Sequence, residues 1–330
     1  MANELAEALQ RLRVCDDAAG TTVQETHPSD IFRCLCYQLE AIFPRGAAGE
    51  QAFSAYGSSG WSLEAYTAPG FARKYVSKKF EDRCSATFFF LQALDRARVF
   101  DTAGAEIVDM GSGPGSGTVA AAKFLAMKGA IPGSVTLMDP VEAWRGAVEA
   151  LEKVGIRANF EQAEDLSAMV HAMALHQSSD RLKLIIVSHV LKDFGGDGVA
   201  VSAWWKSLAV ALQGQRALVL IVERGPCESL LPKSLPGGGH IHVFPHAEPS
   251  GTDNASFGAA LFIPKGSCEM RALVPETGQQ PRPAPAARPS GTPRCPDCGG
   301  PMALKVNRRG FNPGSTFYGC VQFPNCRGTR

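Results

Sequence analysis

Apolar residues along this chain alternate between short continuous runs and longer segments with helical spacing. The clearest run, LKLIIV at residues 182–187, is apolar at nearly every position. Such a run is typical of a strand that is buried on both faces of a parallel sheet. Further strands are predicted at residues 107–108, 134–138, 158–161 and 217–222. Helical patterns separate these strands, so we predict an α/β fold.

The segments before the first strand have the apolar spacing of helices. A helix is predicted at residues 30–43, where Pro44 stops it, and a longer helix at residues 71–100 leads into the first strand. Between them, residues 44–70 are rich in glycine, alanine and serine, and we predict an ordered loop that is packed by aromatic side chains.

The composition divides the chain into four segments. We expect a helical N-terminal region, an α/β domain, an extended proline-rich linker and a small cysteine-containing module, at residues 1–69, 70–274, 275–293 and 294–330.

The first strand leads into a turn with three glycines at alternate positions, Gly111, Gly113 and Gly115. Glycines suit such a strand-to-helix turn, because its backbone angles disfavour a Cβ and a ligand must approach the main chain closely. The spacing does not fit the dinucleotide fingerprint G-x-G-x-x-G in either frame. The pattern D-x-G-x-G-x-G, beginning at Asp109, resembles motif I of the class I S-adenosylmethionine (SAM)-dependent methyltransferases, and the resemblance extends over about residues 70–265.

This resemblance implies a Rossmann-like, seven-stranded sheet, for which residues 240–244 and 259–263 would supply the closing antiparallel pair. It also implies that the three glycines pass under the methionine part of SAM and that Asp109 helps to hold the cofactor. Elements before motif I often cap the cofactor in this family, which makes Tyr75 and Lys78 candidates for the site. A glycine-rich turn without a ligand and a solvated basic helix face are the alternatives.

The ends of the next two predicted strands carry further candidates for cofactor binding. Asp139 ends the second strand, where a short carboxylate accepts hydrogen bonds from both ribose hydroxyls. After the third strand, the sequence QAEDL resembles the family's third motif, with Gln162 at the place of the aspartate that usually contacts the adenine amino group. The amide oxygen of Gln162 would accept the same hydrogen bond without a charge.

Ser188 and His189 follow the fourth strand, at the edge of the sheet that faces the ligand crevice. Ser188 is a candidate for cofactor binding, and His189 is a candidate general base. Similar sequences also occur in this family without a catalytic role. The D/N-P-P-Y/F motif of many amine methylases and the Pro-Cys pair of cytosine-5 enzymes are both missing here, and Cys227 is a lone cysteine in a loop.

Four cysteines near the end of the chain have the spacing of a zinc site. Cys295 and Cys298 form one close pair, and Cys320 and Cys326 form a second pair about twenty residues later. Two such pairs can supply a tetrahedral thiolate site for one structural Zn²⁺. A segment of fewer than forty residues has little apolar surface, so we expect metal binding and folding to be one event.

The residues between these cysteines match C-P-x-C-G-x-P-M, F-Y-G-C and F-P-x-C-R-G-T, and residues 294–330 resemble the zinc ribbon of bacterial type I DNA topoisomerases. Those modules bind single-stranded DNA, which implies a similar role here. Aromatic faces for stacking and cations for phosphates are also present in the segment. The candidate nucleic-acid-binding residues are Lys305, Arg308, Arg309, Phe317, Tyr318 and Arg327.

Charge is distributed unevenly along the chain. Residues 1–278 contain 25 Lys and Arg against 31 Asp and Glu, whereas residues 279–330 contain eight against one. A basic appendage of this kind favours an acidic partner. No signal-peptide pattern or long apolar run is present, so we expect reduced cysteines in a soluble protein of the cytoplasm or nucleus, with an organelle as an alternative.

The sequence therefore predicts a SAM-dependent methyltransferase whose tethered ribbon binds single-stranded nucleic acid. The expected acceptor is a nucleic acid, with RNA favoured over DNA, or a protein bound to nucleic acid. The alternatives are a non-catalytic protein of the same fold that binds RNA or a ribonucleoprotein, and a small-molecule methyltransferase.

Overall fold

We describe the protein from a computed structural model. The described residues are 28–55, 61–96, 105–175, 181–191, 198–225, 227, 230–232, 238–247, 257–265, 294–306, 316–321 and 326. The chain forms two compact units, Met1–Val274 and Pro275–Arg330. Arg308, Arg309 and Arg327 lie outside the described residues.

A seven-stranded sheet forms the centre of the first unit. Its strands are β1 Ala105–Met110, β2 Val135–Asp139, β3 Asn159–Gln162, β4 Leu182–Ser188, β5 Ala217–Arg224, β6 Gly239–Ala247 and β7 Phe257–Pro264. The order is β3-β2-β1-β4-β5-β7-β6, and β1 to β5 are parallel. Strand β7 runs antiparallel to β5, and β6 runs antiparallel to β7. This arrangement confirms the expected fold class and its closing antiparallel pair.

The central strands are apolar at most positions because helices cover both faces of the sheet. Along β4, Leu184 and Ile186 enter one hydrophobic cluster, whereas Ile185 and Val187 enter a second cluster. The flanking helices are α1 Pro28–Ile42, α2 Ala47–Ser54, α3 Leu63–Thr67, α4 Phe71–Arg96, α5 Ser116–Met127, α6 Gly146–Lys153, α7 Leu166–Leu175 and α8 Gly198–Ala211. The continuous apolar pattern therefore follows from burial on two sides.

The segment between α1 and α4 differs in part from the expected loop, because it contains the short helices α2 and α3. Ser62 begins α3 as its N-cap, since its Oγ accepts a hydrogen bond from the backbone N–H of Ala65 at 3.3 Å. The predicted aromatic packing is present: the ring of Trp61 lies 5.0 Å from Phe53 and 5.5 Å from Phe71, between ring centroids. These aromatic residues belong to the same core as the sheet.

The second unit contains a hairpin of two antiparallel strands, β8 Met302–Val306 and β9 Thr316–Cys320. Cys295, Met302 and Cys320 form its buried hydrophobic cluster among the residues the structure describes. Within the described part of the chain, no helix combines the length and apolar character needed to cross a membrane.

Candidate functional site

The glycine turn after β1 has the backbone conformation that its sequence predicts. Gly111, Gly113 and Gly115 have φ angles of 66°, 51° and 82°, in the left-handed region that disfavours other residues. A Cβ on Gly111 would lie 2.3 Å from Cγ2 of Val190. A Cβ on Gly113 would instead meet no atom closer than the Tyr75 hydroxyl, at 4.0 Å. The turn is therefore packed closely at Gly111 and open at Gly113.

Asp109, at the end of β1, lies beneath this turn. Its Oδ2 accepts hydrogen bonds from the backbone N–H of Thr118 at 2.7 Å and from Oγ1 of Thr118 at 3.0 Å. These bonds join the end of the strand to the first turn of α5. Burial raises the pKa of Asp109 to about 7, although both hydrogen bonds from Thr118 oppose this shift. Asp109 holds the turn in place, and its expected contact with SAM stays a prediction.

Asp139, at the end of β2, is joined to the glycine turn from the side. Its Oδ2 accepts a hydrogen bond from the backbone N–H of Gly113 at 2.8 Å, and its Oδ1 accepts one from Val141 at 2.9 Å. Burial raises the pKa of Asp139 to about 7, against the effect of these two bonds. Each carboxylate oxygen has a further lone pair, so the group can also accept from the hydroxyls of a ligand.

A cavity of about 370 Å³ lies at the carboxyl edge of the sheet, above the turn. Its lining includes the tips of several neighbouring strands, and it also includes a cover of aromatic residues. The lining residues are Trp61, Ser62, Leu63, Tyr66, Tyr75, Arg83, Gly111, Gly113, Asp139, Pro140, Val141, Trp144, Glu164, His189 and Val190. A cavity of this kind, mostly apolar with a few polar groups, is the usual form of a small-molecule site.

The aromatic cover consists of Trp61, Tyr66, Tyr75 and Trp144. The ring of Tyr75 lies 5.3 Å from Trp144, 5.7 Å from Trp61 and 6.0 Å from Tyr66, between centroids. Contacts at these distances fix the rings against one another. The cover therefore gives the cavity an apolar wall beside the glycine turn and Asp139.

Two further candidates for cofactor binding, Gln162 at the end of β3 and Ser188 at the end of β4, lie outside the lining of the cavity. Gln162 is exposed, donates from Nε2 to the carbonyl oxygen of Pro140 at 3.1 Å, and does not line the cavity. Ser188 is buried, and its Oγ lies 3.4 Å from Oγ1 of Thr87, also outside the lining. Their contacts with SAM stay predictions.

His189 lines the cavity and has an uncommon backbone conformation. Its φ of 60° is the one positive value at a non-glycine residue in the part of the chain that the structure describes. Its backbone N–H donates to the carbonyl oxygen of Val222 at 2.8 Å, and its ring meets that of Phe257 edge-on at 5.5 Å. Residues held in such conformations occur preferentially at functional sites.

Several lining residues were not identified as site residues from the sequence. Glu164 and Arg83 bring charge into the cavity, and Trp144 and Trp61 bring apolar surface. The position of Glu164, just after β3 at the carboxyl edge, is the sequence signal that could have identified it as a lining residue. Tyr75 lines the cavity as the resemblance implied, whereas Lys78 is exposed and does not line it.

The four cysteines of the second unit lie together. Their sulfur atoms are all within 4.8 Å of one another. The Sγ atoms of Cys295 and Cys326 are 3.6 Å apart, and those of Cys298 and Cys320 are 3.5 Å apart. Four thiolates about 2.3 Å from a central zinc ion would lie at similar mutual distances, so the donor set fits tetrahedral Zn²⁺.

The candidate nucleic-acid residues of the hairpin lie on both strands. Lys305 stands opposite Phe317 in the register, and Leu304 stands opposite Tyr318. Tyr318 is half-buried and packs against the cluster of Cys295, Met302 and Cys320, so part of its ring is committed to the fold. The roles of Lys305, Phe317 and Tyr318 in binding nucleic acid stay predictions.

No known protein-family model matches this chain, and no curated protein matches it. An rRNA methylase from Streptococcus thermophilus is similar in structure at 17% identity and a TM-score of 0.34, over 54% of this chain and 93% of that chain. Magnesium protoporphyrin IX methyltransferase from Synechocystis PCC 6803 with bound SAM has 16% identity and a TM-score of 0.37, over 74% and 100%. Phosphoethanolamine N-methyltransferase 1 from Haemonchus contortus has 13% identity and a TM-score of 0.38, over 59% of this chain and 44% of that chain.

Proposed function

We propose that the first unit is a SAM-dependent methyltransferase. One observation carries the proposal: Asp139, at the tip of β2, lines the same cavity as Gly111 and Gly113 and accepts the backbone N–H of Gly113 at 2.8 Å. An acidic side chain at that place binds ribose hydroxyls, and a glycine turn lets a ligand approach the main chain. The sheet order β3-β2-β1-β4 brings both features to one edge.

Different residues of the cavity would bind different parts of the cofactor. Asp139 would hold the ribose, the open turn at Gly113 would admit the methionine part, and the aromatic cover would exclude water. When bound, SAM supplies an activated methyl group on a sulfonium leaving group. The protein's main contribution is then to hold the acceptor in line with that group. His189, which lines the cavity, would accept a proton from the acceptor.

Binding of SAM by isothermal titration calorimetry tests the first part of this proposal. The wild-type chain should bind SAM with one site, and Asp139→Ala should weaken binding strongly, because the ribose hydroxyls lose their acceptor. Lys153→Met, at an exposed position of α6, is the matched surface variant and should bind normally. Failure of the wild-type chain to bind SAM would overturn the proposal.

The acceptor is proposed to be a nucleic acid, with RNA favoured, or a protein associated with it. The support is the charge of residues 279–330, which contain eight Lys and Arg against one acidic residue, and the Lys305–Phe317 pair in the hairpin register. A zinc-held ribbon that is tethered to the first unit would raise the local concentration of its ligand there.

Methyl transfer from tritiated SAM to fractionated cellular RNA, DNA and protein tests the acceptor. Label should enter RNA or a ribonucleoprotein fraction, and deleting residues 278–330 should lower this activity while calorimetric SAM binding is kept. Label only in small molecules, with no effect of the deletion, would show that the ribbon does not deliver the substrate.

A non-catalytic nucleic-acid-binding protein is the second candidate. The observation that favours it is the size of the cavity, since 370 Å³ is near the lower end of the range of ligand sites, about 300–1,000 Å³. The cavity therefore offers little room for an acceptor beside a bound cofactor. SAM binding and RNA binding without transfer of label to any fraction would establish this candidate.

A further inference from the structure

The cavity has a basic side chain at a defined place, and its position follows from how α4 packs. Sγ of Cys84 lies 3.4 Å from the carbonyl oxygen of Ser116, at the first residue of α5. Oγ1 of Thr87 lies 3.4 Å from Oγ of Ser188, at the last residue of β4. The turn of α4 that carries Arg83 is therefore held between the start of α5 and the tip of β4, next to the glycine turn.

Arg83 is oriented by Tyr75, about two helical turns earlier on α4. Nη1 of Arg83 donates a hydrogen bond to the Tyr75 hydroxyl, and the guanidinium carbon lies 4.8 Å from the centroid of the Tyr75 ring. Tyr75 is itself 3% exposed and fixed by the aromatic cover. Its hydroxyl lies 4.0 Å from the position of a Cβ on Gly113. The pair thus stands over the open part of the turn.

The acidic and basic lining residues lie on opposite sides of the cavity. Asp139 ends β2, and Glu164 follows β3, so both acidic lining residues belong to the β2–β3 side of the sheet edge. Arg83 belongs to the side of α5 and β4, and it is the only arginine or lysine among the lining residues that the structure describes. A matching ligand has hydrogen-bond donors at one end and an anionic group at the other.

We infer that Arg83 binds the carboxylate of the methionine part of SAM and that Tyr75 positions the guanidinium for this contact. The inference rests on the proposed function and adds to it the group that recognises the amino-acid end of the cofactor. An arginine suits this role because its planar fork matches a carboxylate with two parallel hydrogen bonds. If Asp139 held the ribose, the Arg83–Tyr75 pair beside Gly113 would be available to the amino-acid end of the cofactor.

Three ligands separate this contact from the rest of the site. SAM carries the carboxylate, decarboxylated SAM lacks only that group, and 5′-methylthioadenosine lacks the whole amino-acid part. Binding of each ligand is measured by calorimetry with the full-length wild-type chain, Arg83→Met, Arg83→Lys, Tyr75→Phe and the surface control Lys153→Met. Thermal unfolding of every variant is followed in parallel.

Arg83→Met should weaken SAM binding by about ten- to a hundredfold, the effect of losing hydrogen bonds to a charged group. It should leave decarboxylated SAM and 5′-methylthioadenosine within about threefold of wild type. Arg83→Lys should lose less SAM affinity, because it keeps the charge without the fork. Tyr75→Phe should weaken SAM alone, by a smaller factor, because the ring stays and only the bond to Arg83 is lost.

Equal weakening of all three ligands by Arg83→Met would assign Arg83 a purely structural role and overturn the inference. If Arg83→Met does not fold, Arg83→Lys and Tyr75→Phe decide by the same comparison of SAM with decarboxylated SAM. If the wild-type chain binds none of the three ligands, the proposed function itself fails. If it binds SAM and decarboxylated SAM equally, only the carboxylate contact fails.

Discussion

The two units of this protein are stabilised in opposite ways. In the first unit, hydrophobic clusters cover both faces of a seven-stranded sheet, and most residues of these clusters lie outside the lining of the candidate site. In the second unit, two of the three residues of the buried hydrophobic cluster, Cys295 and Cys320, are candidate metal ligands. The first unit should fold without its ligand, whereas in the second unit the candidate metal ligands make up part of the core.

Metal removal should therefore give the largest difference in stability between the two units. Cys298→Ser, or treatment with a chelator, should unfold the ribbon, because structural zinc contributes about 10 kcal/mol or more to the folding of small modules. The first unit should be unaffected. All four tryptophans, Trp61, Trp144, Trp204 and Trp205, lie in the first unit, so their fluorescence reports its unfolding alone.

The measurements are zinc content, nuclear magnetic resonance of the ribbon amides, and the tryptophan melting curve. Cys34→Ser is the matched control, since this half-buried cysteine lies on α1, outside the four-thiol cluster. The control should keep one zinc ion per chain. A lower tryptophan melting temperature in Cys298→Ser would contradict the independence of the units.

A side chain in the glycine turn should remove SAM binding without unfolding either unit. Gly113→Arg would direct a long side chain into the cavity, since nothing lies within 4 Å of the Cβ position except the Tyr75 hydroxyl, at 4.0 Å. We expect a loss of at least about a hundredfold in SAM affinity, because the side chain occupies the place of the ligand, which then loses most of its apolar burial.

Gly129→Arg is the matched control for backbone strain. Gly129 also has a positive φ, 72°, and a Cβ there would meet no atom within 4 Å, yet the residue does not line the cavity. This variant should pay a similar conformational cost and bind SAM normally. Equal losses in the two variants would mean that strain, rather than filling of the cavity, explains the result.

Ligand binding should depend on pH through Asp139. Burial raises the pKa of Asp139 to about 7 in the free protein, and ribose hydroxyls donate to the ionised carboxylate. Binding therefore favours the ionised form and lowers this pKa. Affinity should be highest above pH 7 and should fall as the pH decreases through 7, by about tenfold between pH 8 and pH 6.

The suitable ligand for this test is 5′-methylthioadenosine, which keeps the ribose and has no ionisable amino-acid part. Asp139→Asn should bind more weakly and show a flat profile from pH 6 to pH 8. Asp109→Asn is the control, because burial also raises the pKa of Asp109 to about 7. If Asp109→Asn flattens the profile while Asp139→Asn does not, the titrating group is Asp109.

The sequence predicted the fold and the backbone conformation of the glycine turn because both depend on local patterns. Strands buried on two faces are apolar at most positions, and a positive φ angle favours glycine. The run that contains Leu184 and the turn that begins at Gly111 could therefore be recognised from the sequence alone. The roles of Arg83 and Tyr75 were less accessible, because they depend on how α4 packs against α5 and β4. The short helix α3 was also missed, since five residues carry too little periodicity to be recognised.

The residues at and after the end of β3 give a second example of a feature that the sequence does not specify, namely which side chain lines the cavity. The amide nitrogen of Gln162 donates to Pro140, and its expected contact with adenine stays a prediction. Gln162 and Glu164 are both exposed, but only Glu164 is among the lining residues of the cavity. Which of these residues lines the cavity depends on the path of the chain into α7, and a motif does not specify that path. Strand ends can therefore be predicted more securely than the side chains that follow them.

The smallest expected effect concerns Asp109, which supports the turn from below. Thr118→Val removes the hydroxyl that donates to Oδ2 of Asp109 at 3.0 Å and keeps the shape of the side chain. The free energy of unfolding should fall by about 1–2 kcal/mol, the usual value for one buried hydrogen bond. In the wild type this bond lowers the pKa of Asp109 by stabilising the ionised form, so its contribution grows as the pH rises through about 7. Tryptophan-monitored denaturation should therefore show a larger loss at pH 8 than at pH 5, with SAM affinity changed by less than about threefold. Equal losses at both pH values would mean that Thr118 stabilises the turn by packing alone.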